Sequence, residues 1–134
     1  MNEKTVLMIV DDDKDDRFFF EMAVKELGKG FECISAENGI DAIEKLQTME
    51  QLPDYIFLDL NMPLMNGREC LTELKKQPKL KSIPVIMYST SSFSEDVDSV
   101  RKLGASYYLP KPANIMSLPT DITTALKTAE SGRG

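Results

Sequence analysis

The chain has 134 residues, enough for one ordinary domain with a real core and short for two. Its 42% hydrophobic and 28% charged residues are the balance of a folded chain rather than a disordered one. A net charge of −6 with no run of Lys or Arg argues against a nucleic-acid or anionic-membrane surface, and the absence of histidine rules out a phospho-histidine enzyme, a Ser-His-Asp hydrolase and any histidine metal ligand.

The first predicted strand, TVLMIV (5–10), ends in the aspartates of IVDDDKDDR, and a helix carrying Phe20, Val24 and Leu27 on one face follows as far as Gly28. A second strand, FECISA (31–36), leads through the turn Glu37-Asn38-Gly39 to a helix with Ile43 and Leu46. The third strand, YIFLDL (55–60), precedes a helix with Leu71 and Leu74 that stops at the Gln77-Pro78 pair. The fourth, PVIMYS (84–89), precedes a helix with Phe93, Val97 and Val100 that closes at Gly104. The fifth, SYYLP (106–110), is followed by a last helix with Leu118, Ile122, Ala125 and Leu126. Several strands are almost continuously apolar, as strands buried on both faces are.

Five strands each followed by a helix predict an α/β fold, a parallel sheet covered by helices. The expectation is one domain over 1–134 with its core at about 4–129, a frayed tail at 130–134 and no second, output domain. No apolar stretch reaches the length of a membrane span and no leader cleavage site follows the first apolar run, so the chain reads as cytoplasmic. Cys33 and Cys70 sit among apolar neighbours and read as reduced, buried thiols rather than a disulfide framework.

In an open parallel sheet, ligands bind outside the carboxyl ends of the strands. Strand one ends in Asp11 and Asp12, strand three in Asp59, strand four in Ser89-Thr90 and strand five in Lys111-Pro112. Three carboxylates close together are costly unless a hard cation neutralises them, and an oxygen-only ligand set suits Mg2+ rather than zinc. A lysine and a hydroxyl opposite would meet phosphoryl oxygens, and a strand-end carboxylate can act as nucleophile, so the site reads as phosphoryl-accepting.

These residues resemble the receiver domain of two-component response regulators. The matching segments are VDD (10–12), LDLNMPLMNG (58–67), IPVIMYST (83–90) and YYLPKP (107–112), in order along nearly the whole chain. The resemblance implies a (βα)5 doubly wound, flavodoxin-like sheet of strand order 2-1-3-4-5, as in the bacterial chemotaxis regulator. It implies Asp59 as phosphoryl acceptor and Mg2+ held by Asp11, Asp12, Asp59 and the backbone carbonyl of Asn61. Lys111 would pair with the acidic cluster and then with the phosphoryl group, across a cis Lys111–Pro112 bond. Ser89 would be the switch hydroxyl and Tyr108 the aromatic that turns inward with it, while Thr90 and Ser91 tune the access of water.

The donor would be a sensor histidine kinase or phosphotransfer protein, met on the first helix, where Phe18 and Met22 share a face away from Phe20, Val24 and Leu27. Asp13, Asp15 and Asp16 fall past the strand end and read as helix-start carboxylates, solvated and replaceable. Two rival readings are a metal-dependent phosphatase with an aspartyl-phosphate intermediate and a scaffold that is never phosphorylated. The first wants a second aspartate two residues after the nucleophile, where Asn61 stands.

Overall fold

The computed structural model describes residues 4–90 and 94–131. Five strands, β1 (Thr5–Val10), β2 (Phe31–Ala36), β3 (Tyr55–Leu58), β4 (Val85–Ser89) and β5 (Tyr107–Pro110), form one sheet in the order β2-β1-β3-β4-β5. Every neighbouring pair is parallel. The helices α1 (Lys14–Glu26), α2 (Gly39–Thr48), α3 (Gly67–Lys76), α4 (Ser94–Lys102) and α5 (Leu118–Ser131) alternate with them, and a 3-10 turn (Ile115–Ser117) leads into α5. Ser91 and Phe93, two residues of the sequence reading, lie outside the described residues, as do Gly132 to Gly134.

Successive strand residues point to opposite faces, and here both faces are buried. Met8, Val10, Ile56, Leu58, Val85, Met87 and Tyr108 pack with Leu46 of α2, Leu71 and Leu74 of α3 and Val100 of α4. Leu7, Ile9, Phe57, Ile86, Tyr88 and Leu109 pack on the other side with Phe20 and Val24 of α1 and Ile122, Ala125 and Ala129 of α5. The helical spacings in the sequence and the near-continuous apolar strands thus describe the same two interfaces.

The helix stops coincide with the predicted ones. Helices α1 and α4 run into Gly28 (φ +109°) and Gly104 (φ +113°), the left-handed backbone that favours glycine. The third strand is shorter than its apolar run, because the chain leaves the ladder after Leu58. Asp59 N–H still donates to the Val10 carbonyl (3.0 Å), but the Leu60 carbonyl is taken by Gly67 N–H (2.8 Å). That closure brings Gly67 against the strand end, where a Cβ would stand 2.7 Å from Leu60 Cα and collide with the Asp59 carbonyl oxygen. At the other end of the chain, α5 continues through Glu130 into Ser131, beyond the expected core boundary, and the Tyr55 hydroxyl donates to Glu130 Oε2 at 2.6 Å.

Candidate functional site

The register sets Val10 beside Leu58, Leu58 beside Met87 and Ser89 beside Pro110, so the carboxyl ends of β1, β3, β4 and β5 lie along one edge. Asp11 and Asp59, each one residue past its strand, become neighbours through the Asp59 N–H bond to Val10. Lys111 is fixed by its own backbone, whose N–H donates to the Ser89 carbonyl at 2.8 Å. Asp11, Asp59 and Ser89 are buried and Asp12 is exposed. The structure thus brings Asp11, Asp12, Asp59 and Lys111 together, with Ser89 at the adjoining strand end. Tyr108 is buried on the opposite sheet face from Tyr107, packed in the core under α2, α3 and α4.

One ammonium serves three carboxylates. Lys111 Nζ lies 2.7 Å from Asp16 Oδ2, 2.8 Å from Asp11 Oδ2 and 3.6 Å from Asp59 Oδ2. Only the contact with Asp16 has hydrogen-bond geometry. Asp11 Oδ1 accepts from Asp13 N–H at 2.9 Å, but Asp11 Oδ2 is buried with no hydrogen-bond partner. Asp59 Oδ1 is approached by the Asn61 N–H at 3.4 Å, and the Asn61 side chain is exposed.

The electrostatics follow from burial and like charge. Burial first, then the charge of Asp11, pushes Asp59 up to about 6, against the attraction of Lys111. Burial likewise raises Asp11, opposed by Lys111. Burial works to lower Lys111, but its contacts with Asp11 and Asp16 and the charge of Asp59 win and hold it above its ordinary value. Burial pushes the Cys33 and Cys70 thiols up to about 12, which keeps both as inert thiols.

A pocket this rich in carboxylates accommodates a hard cation. Asp11, Asp12 and Asp59 each offer an oxygen, and the three atoms lie within 4.8 Å of one another. The unbonded Asp11 Oδ2 is one of the acceptors such an ion would satisfy, and an all-oxygen set suits Mg2+ or Mn2+.

Two expectations are corrected here. No peptide bond among the described residues is cis, Lys111–Pro112 included. The trans form is the lower in energy, and the lysine is drawn inward by Asp11 and Asp16 without a cis bend. Nor is Asp16 a solvated carboxylate: its side chain is 33% exposed and accepts a hydrogen bond from Lys111. Asp13, by contrast, is the N-cap, accepting from Asp15 N–H (2.8 Å) and Asp16 N–H (3.3 Å), and Asp15 is exposed.

The signal for Asp16 was in the sequence. It stands four residues before Phe20, so it continues the stripe of Phe20, Val24 and Leu27 back to the strand-end edge. Two further residues escaped the reading. Arg17 Nη1 donates to the Asp11 carbonyl at 2.7 Å, steadying the loop after β1. The Tyr88 ring centroid lies 5.5 Å from Lys111 Nζ, a cation–π contact, and the ring is itself packed on Phe20. On the outer side, Phe18 is 55% and Met116 82% exposed; with Met22, Ile115 and Pro119 they line a groove between α1 and the start of α5.

The fold and this acidic strand-end site define a class, and comparison with known proteins gives the same one. Residues 7–123 match the response regulator receiver domain, and the chain belongs to that family of two-component signalling modules. It is 34% identical over 122 residues to the response regulator Rcp1 of Synechocystis sp., covering 87% of this chain and 83% of that protein. The phosphorylated cyanobacterial phytochrome response regulator RcpA has a similar structure, with a TM-score of 0.84 at 30% identity over 96% of this chain and 95% of that one. The Mn2+-bound form of Rcp1 gives a TM-score of 0.78 at 33% identity over 90% of each chain. Receiver domains are signalling switches that take phosphoryl groups from histidine kinases and hold a divalent cation at an acidic site. No helix among the described residues is long and apolar enough to cross a membrane.

Proposed function

We propose that this chain is a phospho-accepting switch in which a phospho-histidine on a sensor kinase or phosphotransfer protein donates to Asp59. The observation that carries the reading is the convergence of Asp11, Asp59 and Lys111, with Lys111 Nζ 3.6 Å from Asp59 Oδ2. In the transfer an Asp59 carboxylate oxygen attacks phosphorus, the bond from phosphorus to the imidazole nitrogen breaks, and its electron pair returns to the donor ring. Lys111 offers an N–H to an equatorial phosphoryl oxygen and offsets its charge. Asp11, Asp12, Asp59 and the Asn61 carbonyl would hold Mg2+, which when bound neutralises charge on the transferring group. Burial and the charge of Asp11 push Asp59 up to about 6, and it must stay ionised to attack, so a neighbouring cation favours the reactive form.

The acyl phosphate would then engage the Ser89 hydroxyl, and Tyr108 would follow it, shifting a two-state balance across β4, α4, β5 and α5. Both residues are buried next to or beneath that edge, so a change at one is felt by packing at the other. Output is by protein binding in the cytoplasm. Phe18 and Met22, flanked by Ile115 and Met116, form the surface on which the donor would dock.

The test is incubation with acetyl phosphate and Mg2+, followed by intact mass over time. One added phosphoryl group, absent in Asp59→Asn and in Asp12→Ala, is the expected result. Rapid catalytic release of phosphate would make the protein a phosphatase, and no adduct under any condition would make it a scaffold.

A further inference from the structure

We propose that Asp16 is the positioning residue for Lys111, a counter-ion that keeps the lysine beside the acceptor when the other carboxylates are occupied. The proposal rests on the reading of Asp59 as phosphoryl acceptor and deepens it. Of the three carboxylates around Lys111, Asp16 is the nearest, at 2.7 Å and in hydrogen-bond geometry. Asp11 Oδ2 is as close at 2.8 Å but out of line, and Asp59 Oδ2 stands off at 3.6 Å. A charge-assisted hydrogen bond is directional as well as strong, so Asp16 sets where the ammonium sits.

Asp16 is well built for this. It lies in the first turn of α1, whose start is tied down by the Asp13 cap, and side chains there lean back toward the helix N-terminus and hence toward the strand ends. The Tyr88 ring, 5.5 Å from Nζ, contacts the ammonium as well. Asp16 is also outside the set of carboxylates whose oxygens converge closely enough to share a cation, which comprises Asp11, Asp12 and Asp59. Its charge therefore remains available to Lys111 in every state of the site.

The consequence is electrostatic. A divalent cation on Asp11, Asp12 and Asp59 cancels the charge that draws Lys111 to two of its three partners, and two cations repel at short range. The undiminished Asp16 carboxylate lets ion and lysine share one pocket. It also restrains Lys111 from closing the remaining gap onto Asp59, where it would cover the attacking oxygen. One N–H is committed to Asp16, and the ammonium has others free to meet a phosphoryl oxygen.

The test compares Asp16→Asn with Asp15→Asn, which makes the same charge change on an exposed residue of the same turn, and with Asp16→Glu. In metal-free protein the 15N resonance of the Lys111 ammonium should shift and exchange faster with water in Asp16→Asn and stay put in Asp15→Asn. With phosphoramidate and saturating Mg2+, phosphorylation of Asp16→Asn should slow by about tenfold or more, as expected for a displaced catalytic group. Asp16→Glu should recover part of the rate. An unmoved Lys111 resonance, or a rate equal to that of Asp15→Asn, overturns the proposal. If the unaltered protein takes no phosphoryl group, the acceptor reading fails and the proposal with it, while the metal-free resonance still reports the Asp16–Lys111 pair.

Discussion

Replacing Asp59 by asparagine should make the metal-free protein more stable, although it removes the acceptor. Asp59 is 5% exposed, and burial and the neighbouring Asp11 raise its carboxyl from 3.8 to about 6. A carboxyl raised in this way favours the fold while protonated. That contribution is fully present below the unfolded value of 3.8 and is lost as pH rises through about 6. At about 1.36 kcal/mol per pKa unit, the ionised group then costs the fold roughly 3 kcal/mol at neutral pH. For a chain of this size that is on the order of 10 °C in melting temperature. The asparagine keeps the shape and removes the charge. Thermal melts by circular dichroism in a chelator, from about pH 4 to pH 8, should show the variant melting higher at neutral pH and the gap closing toward pH 4. Added Mg2+ should stabilise the unaltered protein more than the variant and narrow the gap. A variant that melts at or below the unaltered protein at neutral pH, or a gap independent of pH, would refute the reasoning. The cost is the familiar tension between a reactive cluster and a stable fold.

Other consequences are equally open to measurement. Gly67→Ala drives a Cβ into the backbone of Asp59 and Leu60, which cannot give way, so urea unfolding should show a loss of roughly 1–3 kcal/mol together with slower phosphorylation. Leu64 is 80% exposed at φ +69°, a conformation costly for a branched side chain. Leu64→Asn should therefore raise stability by about 1 kcal/mol in the same assay, and a loss would mean the side chain packs. Phe18→Asp should slow transfer from the cognate donor and leave acetyl phosphate untouched; equal slowing of both would remove the docking role from that surface.

Much of the architecture was legible because local and global signals agree. Phe20, Val24 and Leu27 repeat at helical spacing because one face of α1 meets the sheet. The strands read as unbroken apolar runs because both of their faces are covered. Pro110, lacking an N–H, closes the ladder at an edge strand, where that loss is tolerated. The strand-end residues were readable for a related reason: a polar residue ending such a run sits at the edge where ligands bind.

The sequence alone therefore determined the order of elements and picked out Asp11, Asp12, Asp59 and Lys111 as residues that the fold gathers at one strand-end edge, since each follows from position along its own strand. Only the tertiary structure decided how the charge is shared. Lys111 and Asp16 are 95 positions apart, and nothing local to either says that they touch. The same holds for Arg68, whose guanidinium donates to Ser99 Oγ and pairs with Asp96 to join α3 to α4. Periodicity says which way a side chain faces, but which carboxylate an ammonium chooses depends on distances set by the packing of whole helices on the sheet. That is why one of the five aspartates in IVDDDKDDR, read as replaceable, is the one hydrogen-bonded to Lys111.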